Sequence, residues 1–394
     1  MKLFQRMLVA PAALGLLAPL SAAATEVNLN DISNYSDVDS IDFTNSFNDK
    51  DLKEDTLLAG GEGLLDNHSH DGGFSETTTA SFSADMYLGS VDGGDFDTAT
   101  AGAQEDSAVM ATYSFQIDLN TSFTGEDSLD VSIDAGNSGS TGTAEFDGNG
   151  AGDSLAVDGI SYTFPLGEKT TVIVGDNTDG SALFTTACAY GGPSNTLDDC
   201  GNVNAGITNG GAMIGAAYDF GSGFTAAVGY AGPETGVMTQ ESADAYGINA
   251  AYTTDKYGLS LTYGVLDTVP TGRSHETEQD TFTAFNAYYT PEGFPSLSFG
   301  YEIGEDGSAT TNDELESVFF GLTWDEVGPG SAGIAVGTKT PTVEGEDEQY
   351  MYEAYYSYPV NDGMTITPLI YQKENSAAGV DDETGLMVKT SFSF

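Results

Sequence analysis

The sequence is poor in basic residues and in long hydrophobic runs. Only 10 of its 394 residues are Lys or Arg, against 61 Asp or Glu, which gives a formal net charge of −51. A nucleic-acid-binding protein needs a basic surface, so this composition excludes that class. No stretch of eighteen or more apolar residues occurs, and we therefore expect no transmembrane helix. The acidic excess favours cationic partners, or it serves to solubilise exposed loops.

Histidine is also scarce, which limits the catalytic and metal sites that the chain could form. The three histidines are His68, His70 and His275. The stretch DNHSHD could offer two imidazoles to a metal, but in a polar segment it is more typical of a solvated linker. Ser274 precedes His275, and adjacent residues rarely orient as nucleophile and base. No hydrolase, zinc-protease or phosphate-loop motif occurs. We expect no enzyme activity, no cofactor and no metal site.

Hydrophobic residues cluster once, at the start of the chain. Lys2 and Arg6 flank the beginning of the run MLVAPAALGLLAPL, and small residues follow it up to Ala24. This pattern predicts a secretory signal peptide over residues 1–24. Residues 25–73 are polar and acidic without a sustained period, and we interpret them as a flexible periplasmic segment.

The two cysteines, Cys188 and Cys200, lie close together in the sequence. In an exported protein such a pair predicts a disulfide. Closing so short a loop stabilises a fold by about 3 kcal/mol in the chain-entropy model. A CxxC motif is absent, and the segment offers too few ligands for zinc.

From residue 74 to residue 394 the chain consists of alternating segments separated by Gly, Asp, Asn and Pro clusters. Over residues 257–265, for example, Tyr, Leu and Val alternate with Gly, Ser and Thr. This period of two is typical of strands with one apolar face. We identify sixteen such segments, at about 75–90, 105–122, 127–136, 154–165, 168–175, 211–220, 223–231, 243–254, 256–265, 280–290, 294–304, 314–325, 330–338, 348–359, 362–373 and 384–394.

The links between these segments alternate between short and long. Tight turns at one end and longer loops at the other are typical of a transmembrane barrel. A soluble β-rich array is not expected to alternate short and long links in this way. A closed barrel also satisfies every backbone group within a membrane. The pattern therefore predicts an all-β protein, a transmembrane antiparallel β-barrel of about 16 strands over residues 74–394.

The longest link, residues 176–210, follows the fifth strand and holds both cysteines. We hypothesise that this loop folds inward as a constriction loop, where its acidic residues would favour cations. The alternative is an outer loop that the disulfide protects against proteases. Acidic residues at inward positions of the strands would add to the same effect. The candidate selectivity residues are Asp176, Asp179, Asp198, Asp199, Glu302 and Glu353.

The chain ends on a strand pattern, TGLMVKTSFSF. Its apolar positions, which include Leu386 and Phe394, should face lipid, whereas Lys389 should face the lumen. A strand needs a partner at each edge, so we expect this one to pair with the first strand near Phe82 and close the ring.

Four stretches carry a resemblance to a known family: AGGEGL at 59–64, GFSETTTASFSADMYLGSV at 73–91, LNTSFTGEDSLDVSIDAGN at 119–137 and the ending DDETGLMVKTSFSF. With the signal sequence, they resemble cyanobacterial outer-membrane porins, in particular the iron-uptake porin group, which is related to carbohydrate-selective porins. The chain departs from that family where NYSDV at 34–38 resembles the opening of an S-layer-homology domain but has no continuation.

The resemblance implies a homotrimeric, sixteen-stranded general-diffusion channel in outer-membrane lipid, passing inorganic ions and small solutes. It also implies that the barrel-assembly machinery recognises the terminal Phe392 and Phe394. We therefore predict an outer-membrane porin that favours cations, with iron as a candidate cargo by resemblance. A second possibility is a secreted, acidic surface-layer-type structural protein that binds calcium, although no nonapeptide calcium repeat occurs.

Overall fold

The computed structural model describes residues 77–93, 108–138, 143–146, 148–149, 152–208, 210–239, 242–268, 278–307, 313–375 and 380–394. The predicted signal peptide, the acidic segment 25–73 and the three histidines lie outside these residues. Within the described part of the chain, no helix is long and apolar enough to cross a membrane.

Seventeen strands make up nearly all of the regular structure in these ranges. They are β1 Thr78–Asp92, β2 Val109–Thr121, β3 Ser128–Gly136, β4 Ala156–Pro165, β5 Thr170–Asp176, β6 Ala212–Gly221, β7 Phe224–Gly232, β8 Ala245–Thr253, β9 Tyr257–Thr268, β10 Glu278–Tyr289, β11 Ser296–Glu305, β12 Glu314–Val327, β13 Gly330–Thr338, β14 Thr342–Val343, β15 Tyr350–Asn361, β16 Met364–Lys373 and β17 Glu383–Ser393. Sixteen of them correspond to the sixteen predicted segments. The two-residue β14, which pairs with β12, is additional.

The sixteen longer strands form one closed antiparallel ring. Each pairs with its neighbours in chain order, with β13 pairing directly with β15. The ring closes where β17 pairs with β1, and Phe392 lies opposite Ala84. Two residues further along each strand, Phe82 and Phe394 exchange both backbone hydrogen bonds at 3.0 Å. The predicted seam near Phe82 is confirmed, and closure leaves no unpaired sheet edge.

The two faces of the barrel wall differ in polarity, as the period of two predicts. On β9, Leu259 and Leu261 are 47% and 53% exposed on the outer face. The residues that alternate with these leucines, Ser260 and Thr262, point inward and are buried. At the closing strand, Leu386 is exposed on the outer face, and inward-facing Lys389 lies 3.3 Å from Asp85. The outer surface is therefore apolar. The inner wall carries small and polar side chains at many positions, and large buried side chains such as Phe319, Met351 and Tyr355 on β12 and β15.

The connections sort by length to the two ends of the barrel. One end, the short-turn end, has links of at most six residues: 122–127, 166–169, 222–223, 254–256, 290–295, 328–329 and 362–363. The other, the long-loop end, has the links 93–108, 137–155, 177–211, 233–244, 269–277, 306–313, 339–349 and 374–382. We call residues 137–155 loop L2 and residues 177–211 loop L3. The predicted alternation of short and long links is present.

Deleting Phe394 should impair barrel formation. Besides its hydrogen bonds to Phe82, its ring stacks on the Phe82 ring with centroids 5.8 Å apart. Such an aromatic pair contributes about 0.5–1.5 kcal/mol beyond burial. The measurement is the yield of heat-modifiable protein on gels after refolding in detergent.

The matched control is Phe294→Ala. Phe294 is also at the short-turn end and is 77% exposed, against 76% for Phe394, but it makes no contact across the seam. Equal yields for the deletion and for this control would contradict a role of Phe394 in closing the ring.

Candidate functional site

Loop L3 lies along the inner wall of the barrel, where inward side chains bind its backbone. Three alternate residues of the loop, Thr185, Ala187 and Ala189, each donate their backbone N–H to a wall side chain at 2.9 Å. The acceptors are, in order, Asn249 of β8, Ser260 of β9 and Ser298 of β11. An extended segment points every second N–H to the same side, so this outgoing part of L3 crosses the strands with one edge against the wall.

The returning part of L3 is bound in the same way. Asn286 of β10 donates its side-chain N–H to the carbonyl oxygen of Cys200 at 2.9 Å. The Glu302 carboxylate on β11 accepts the backbone N–H groups of Asn204 and Ala205, at 2.9 Å and 2.8 Å from the same oxygen. Buried backbone groups need such partners, and the wall supplies them.

Glycines at inward positions make room for this close approach. A Cβ on Gly300 of β11 would overlap the carbonyl oxygen of Cys200, and one on Gly229 of β7 would overlap that of Gly180. A Cβ on Gly264 of β9 would lie 2.9 Å from the carbonyl oxygen of Ala205. The absence of side chains at these positions thus creates the groove that L3 occupies.

The far end of L3 is held by a disulfide and by a buried tyrosine. Cys188 and Cys200 are bonded, with their Cα atoms 6.4 Å apart, which confirms the predicted disulfide. Tyr190 donates its hydroxyl hydrogen to Glu353 of β15, and its ring packs on Phe319 with centroids 5.3 Å apart. Burial and the neighbouring carboxylate raise the pKa of the Tyr190 hydroxyl, so it remains a donor. Through Tyr190, the far end of L3 therefore contacts β12 and β15, across the barrel from the strands β5 and β6 that the loop connects.

The predicted acidic residues of L3 occupy different surroundings. Asp198 and Asp199 are exposed, whereas the flanking Leu197 and Cys200 are buried against the wall. Both acidic residues are therefore accessible to solvent. Asp179, at the start of the loop, is also exposed, but partial desolvation and the negative charge of Asp158 raise its pKa.

Three other predicted residues are placed differently from what the sequence suggested. Asp176 is the last residue of β5 and not part of the loop. It is two residues from Val174 and lies opposite Ile160 on β4, so it shares the outer face with both of these residues. Glu302 and Glu353 do face the interior, but L3 covers them, and they are 2% and 5% exposed. Their carboxylates bind the loop rather than interior solvent.

Sequence reasoning missed a set of acids on the wall away from L3. Asp118 of β2 and Asp130 and Asp134 of β3 share the inward face. Asp118 accepts hydrogen bonds from Gln116 and Ser132, both at 2.8 Å, which fixes its orientation. The alternation in SLDVSIDAG already separates Asp130 and Asp134 from Leu, Val and Ile, so the signal for these two acids was present in the sequence.

Comparisons with known proteins bear on the fold. No family model and no curated protein matches this chain. Its structure is similar to Pseudomonas putida OprB, with a TM-score of 0.61 and 14% identity over 81% of this chain and 94% of that chain. Engineered variants of the porin of Rh. blastica match with a TM-score of 0.53 and 15% identity, over 80% of this chain and 100% of theirs. The chain therefore has the fold of these bacterial porins, a closed 16-stranded antiparallel barrel.

Replacing Gly300 with Ala should displace L3 from its groove. The added methyl group would overlap a backbone carbonyl, which cannot move as a side-chain end can. Overpacking of this kind costs about 1–3 kcal/mol. The measurement is the rate of chymotrypsin cleavage within L3, which carries Phe184 and Tyr190, in the folded protein.

Gly191→Ala is the control, because a Cβ there meets no atom within 4 Å and the substitution is in the loop itself. If Gly300→Ala were cleaved no faster than Gly191→Ala, the close approach of wall and loop would not be what holds L3.

Proposed function

We propose that this chain is an outer-membrane porin, a passive channel for small hydrophilic solutes and inorganic ions rather than an enzyme. The observation that supports this most directly is a closed barrel with an apolar outer face, a polar interior and a loop bound along its inner wall. Only helices and closed barrels satisfy their backbone groups in lipid. A secreted surface-layer protein would need a polar outer surface, and exposed residues such as Leu261, Ile370 and Leu386 argue against that alternative.

The proposal gives the barrel an orientation. In bacterial outer-membrane barrels the short turns are periplasmic and the longer loops extracellular. The short-turn end, which includes Phe394, would then face the periplasm, where the barrel-assembly machinery would recognise Phe392 and Phe394. Loop L3 would enter from the outside and narrow the lumen, with Asp198 and Asp199 at the constriction. A homotrimer and iron as a cargo belong to this proposal through the resemblance to iron-uptake porins.

We further propose that the channel favours cations. The exposed acids Asp198 and Asp199 of L3 would lie on one side of the interior, and Asp118 and Asp130 face inward from the wall of β2 and β3. Asp134 shares their face but is itself buried. Lys389, which could offset them, is paired with Asp85 at 3.3 Å. A ring of carboxylates around a narrow passage attracts cations and repels anions. Glu302 and Glu353 contribute through the position of L3, because the loop covers their carboxylates.

The double substitution Asp198→Asn with Asp199→Asn should lower the cation preference. A unit charge 4 Å from an ion contributes about 1 kcal/mol in water, about a fivefold factor, so removing two charges should lower the ratio of cation to anion permeability several-fold. The measurement is the reversal potential across a bilayer in a salt gradient at low ionic strength, where screening is weakest.

Asp176→Asn is the matched control, since it removes a carboxylate from the outward-facing end of β5 next to L3. It should leave the reversal potential unchanged. A double variant with wild-type selectivity would contradict the constriction, and a control that shifts selectivity equally would point to a general surface-charge effect.

Lowering the pH should remove the contribution of Asp179 to cation selectivity at a higher pH than for an ordinary aspartate. Because its pKa is raised by partial desolvation and by Asp158, this carboxylate becomes protonated at a higher pH than an ordinary aspartate. The difference in reversal potential between the wild type and Asp179→Asn should therefore shrink as the pH falls from neutral, beginning above the usual range for aspartate. A difference that persists unchanged through that range would contradict this assignment.

A further inference from the structure

The described part of loop L2 around residues 143–146 packs in the interior of the barrel. Its residues Ala144–Phe146 form a single 3-10 turn. The hydroxyl of Thr143 is 2.6 Å from that of Thr112 on β2, and the ring of Phe146 packs on Tyr87 of β1 with centroids 5.6 Å apart. Phe146 is buried in an apolar cluster with the L3 residue Tyr190. This part of L2 is therefore packed into the interior, against β1, β2 and L3.

Glu145, within this turn, connects L2 to two other elements. One of its carboxylate oxygens accepts the backbone N–H of Thr196 in L3 at 3.0 Å. The other forms an ion pair with Lys373, the last residue of β16. The backbone carbonyl oxygen of Glu145 accepts the N–H of Asn195 at 2.8 Å. A single residue thus binds two consecutive backbone groups of L3 and a cation on the wall.

The surroundings of this contact favour a fixed geometry. The Glu145 side chain is only 7% exposed and that of Lys373 is 18% exposed. The Lys373 ammonium also lies 5.7 Å from the centroid of the Tyr371 ring, which is itself buried. Removing one partner of such a pair leaves the other charge buried without compensation, so the two residues depend on each other.

We propose that Glu145 is a latch that fixes the tip of L3, residues 190–199, and that L2 and L3 therefore set the aperture together. The disulfide and the Tyr190 contact with Glu353 hold the base of the tip. Glu145 holds its middle, at Asn195 and Thr196, next to the exposed Asp198 and Asp199. Glu145 is a positioning residue in this arrangement, and the inference rests on the proposed channel function.

The test compares Glu145→Ala, Lys373→Ala and the double variant in single-channel recordings. A released tip should change all three in the same direction, with transitions between conductance substates several times more frequent than in the wild type and a larger polymer-exclusion size. The double variant should equal Glu145→Ala, because that substitution already removes both the Lys373 ion pair and the acceptor for Thr196, and Lys373→Ala, which removes the ion pair alone, should change the channel no more than Glu145→Ala does. Glu145→Gln, which retains an acceptor for Thr196, should lie between the wild type and Glu145→Ala.

A pure charge effect predicts something different, because the two alanine variants remove charges of opposite sign. Opposite shifts of the reversal potential with wild-type substate behaviour would overturn the latch. Glu374→Ala is the control, because it removes a carboxylate from the residue next to Lys373. The Glu374 carboxylate contacts Tyr350 and Tyr352 of β15 and not L2 or L3. It should show no added substates.

A second measurement, proteolysis of L3, tests the role of Glu145 independently of whether the protein forms a channel. Chymotrypsin should cleave L3 faster in Glu145→Ala and Lys373→Ala than in the wild type and Glu374→Ala, with heat-modifiable gel mobility confirming that each barrel is folded. Cleavage rates equal to the wild type would overturn the latch even if the channel conducts. A folded wild type that forms no channel would instead overturn the proposed function.

Discussion

The structure depends on the pairing of its last strand with its first. Each strand of an open sheet edge presents unpaired N–H and C=O groups, which invite association in water and are costly in lipid. Here β17 pairs with β1 over its length, and the final hydrogen bonds join Phe394 to Phe82. Once the ring is closed, the chain can present apolar side chains outward without exposing a backbone edge. It can also enclose a polar space.

Closure creates a second requirement, because L3 carries many backbone groups into that enclosed space. A loop packed inside a protein must find partners for its N–H and C=O groups. The inner wall provides them through short polar side chains such as Asn249, Ser260 and Ser298, and through the Glu302 carboxylate. Inward glycines such as Gly300 let the backbones approach. The polarity of the inner face thus accommodates the loop as well as water.

Charge in the interior follows from the same arrangement. Covered acids such as Glu302 and Glu353 are used to hold L3, whereas Asp198 and Asp199 remain exposed. Among the described residues, two inward lysines are paired: Lys373 with Glu145 and Lys389 with Asp85. Position relative to the loop, and not the number of acids in the sequence, separates the covered carboxylates that bind L3 from the exposed ones.

The sequence by itself determined the architecture, because a strand wall between an apolar and a polar side must alternate with a period of two. That periodicity located the sixteen strands, the alternating turn lengths, the inward position of Lys389 and the seam near Phe82. The close spacing of the two cysteines indicated the Cys188–Cys200 disulfide. These features depend on neighbouring residues and on chain order, which a sequence displays directly.

Only the tertiary structure decided how the interior is used. The position of L3 against β8, β9 and β11 and the burial of Glu302 and Glu353 depend on where a distant loop packs. The contact of Glu145 with Thr196 and Lys373 joins residues far apart in the chain. No local pattern encodes such contacts, because they arise only when closure of the barrel brings two loops and the opposite wall together.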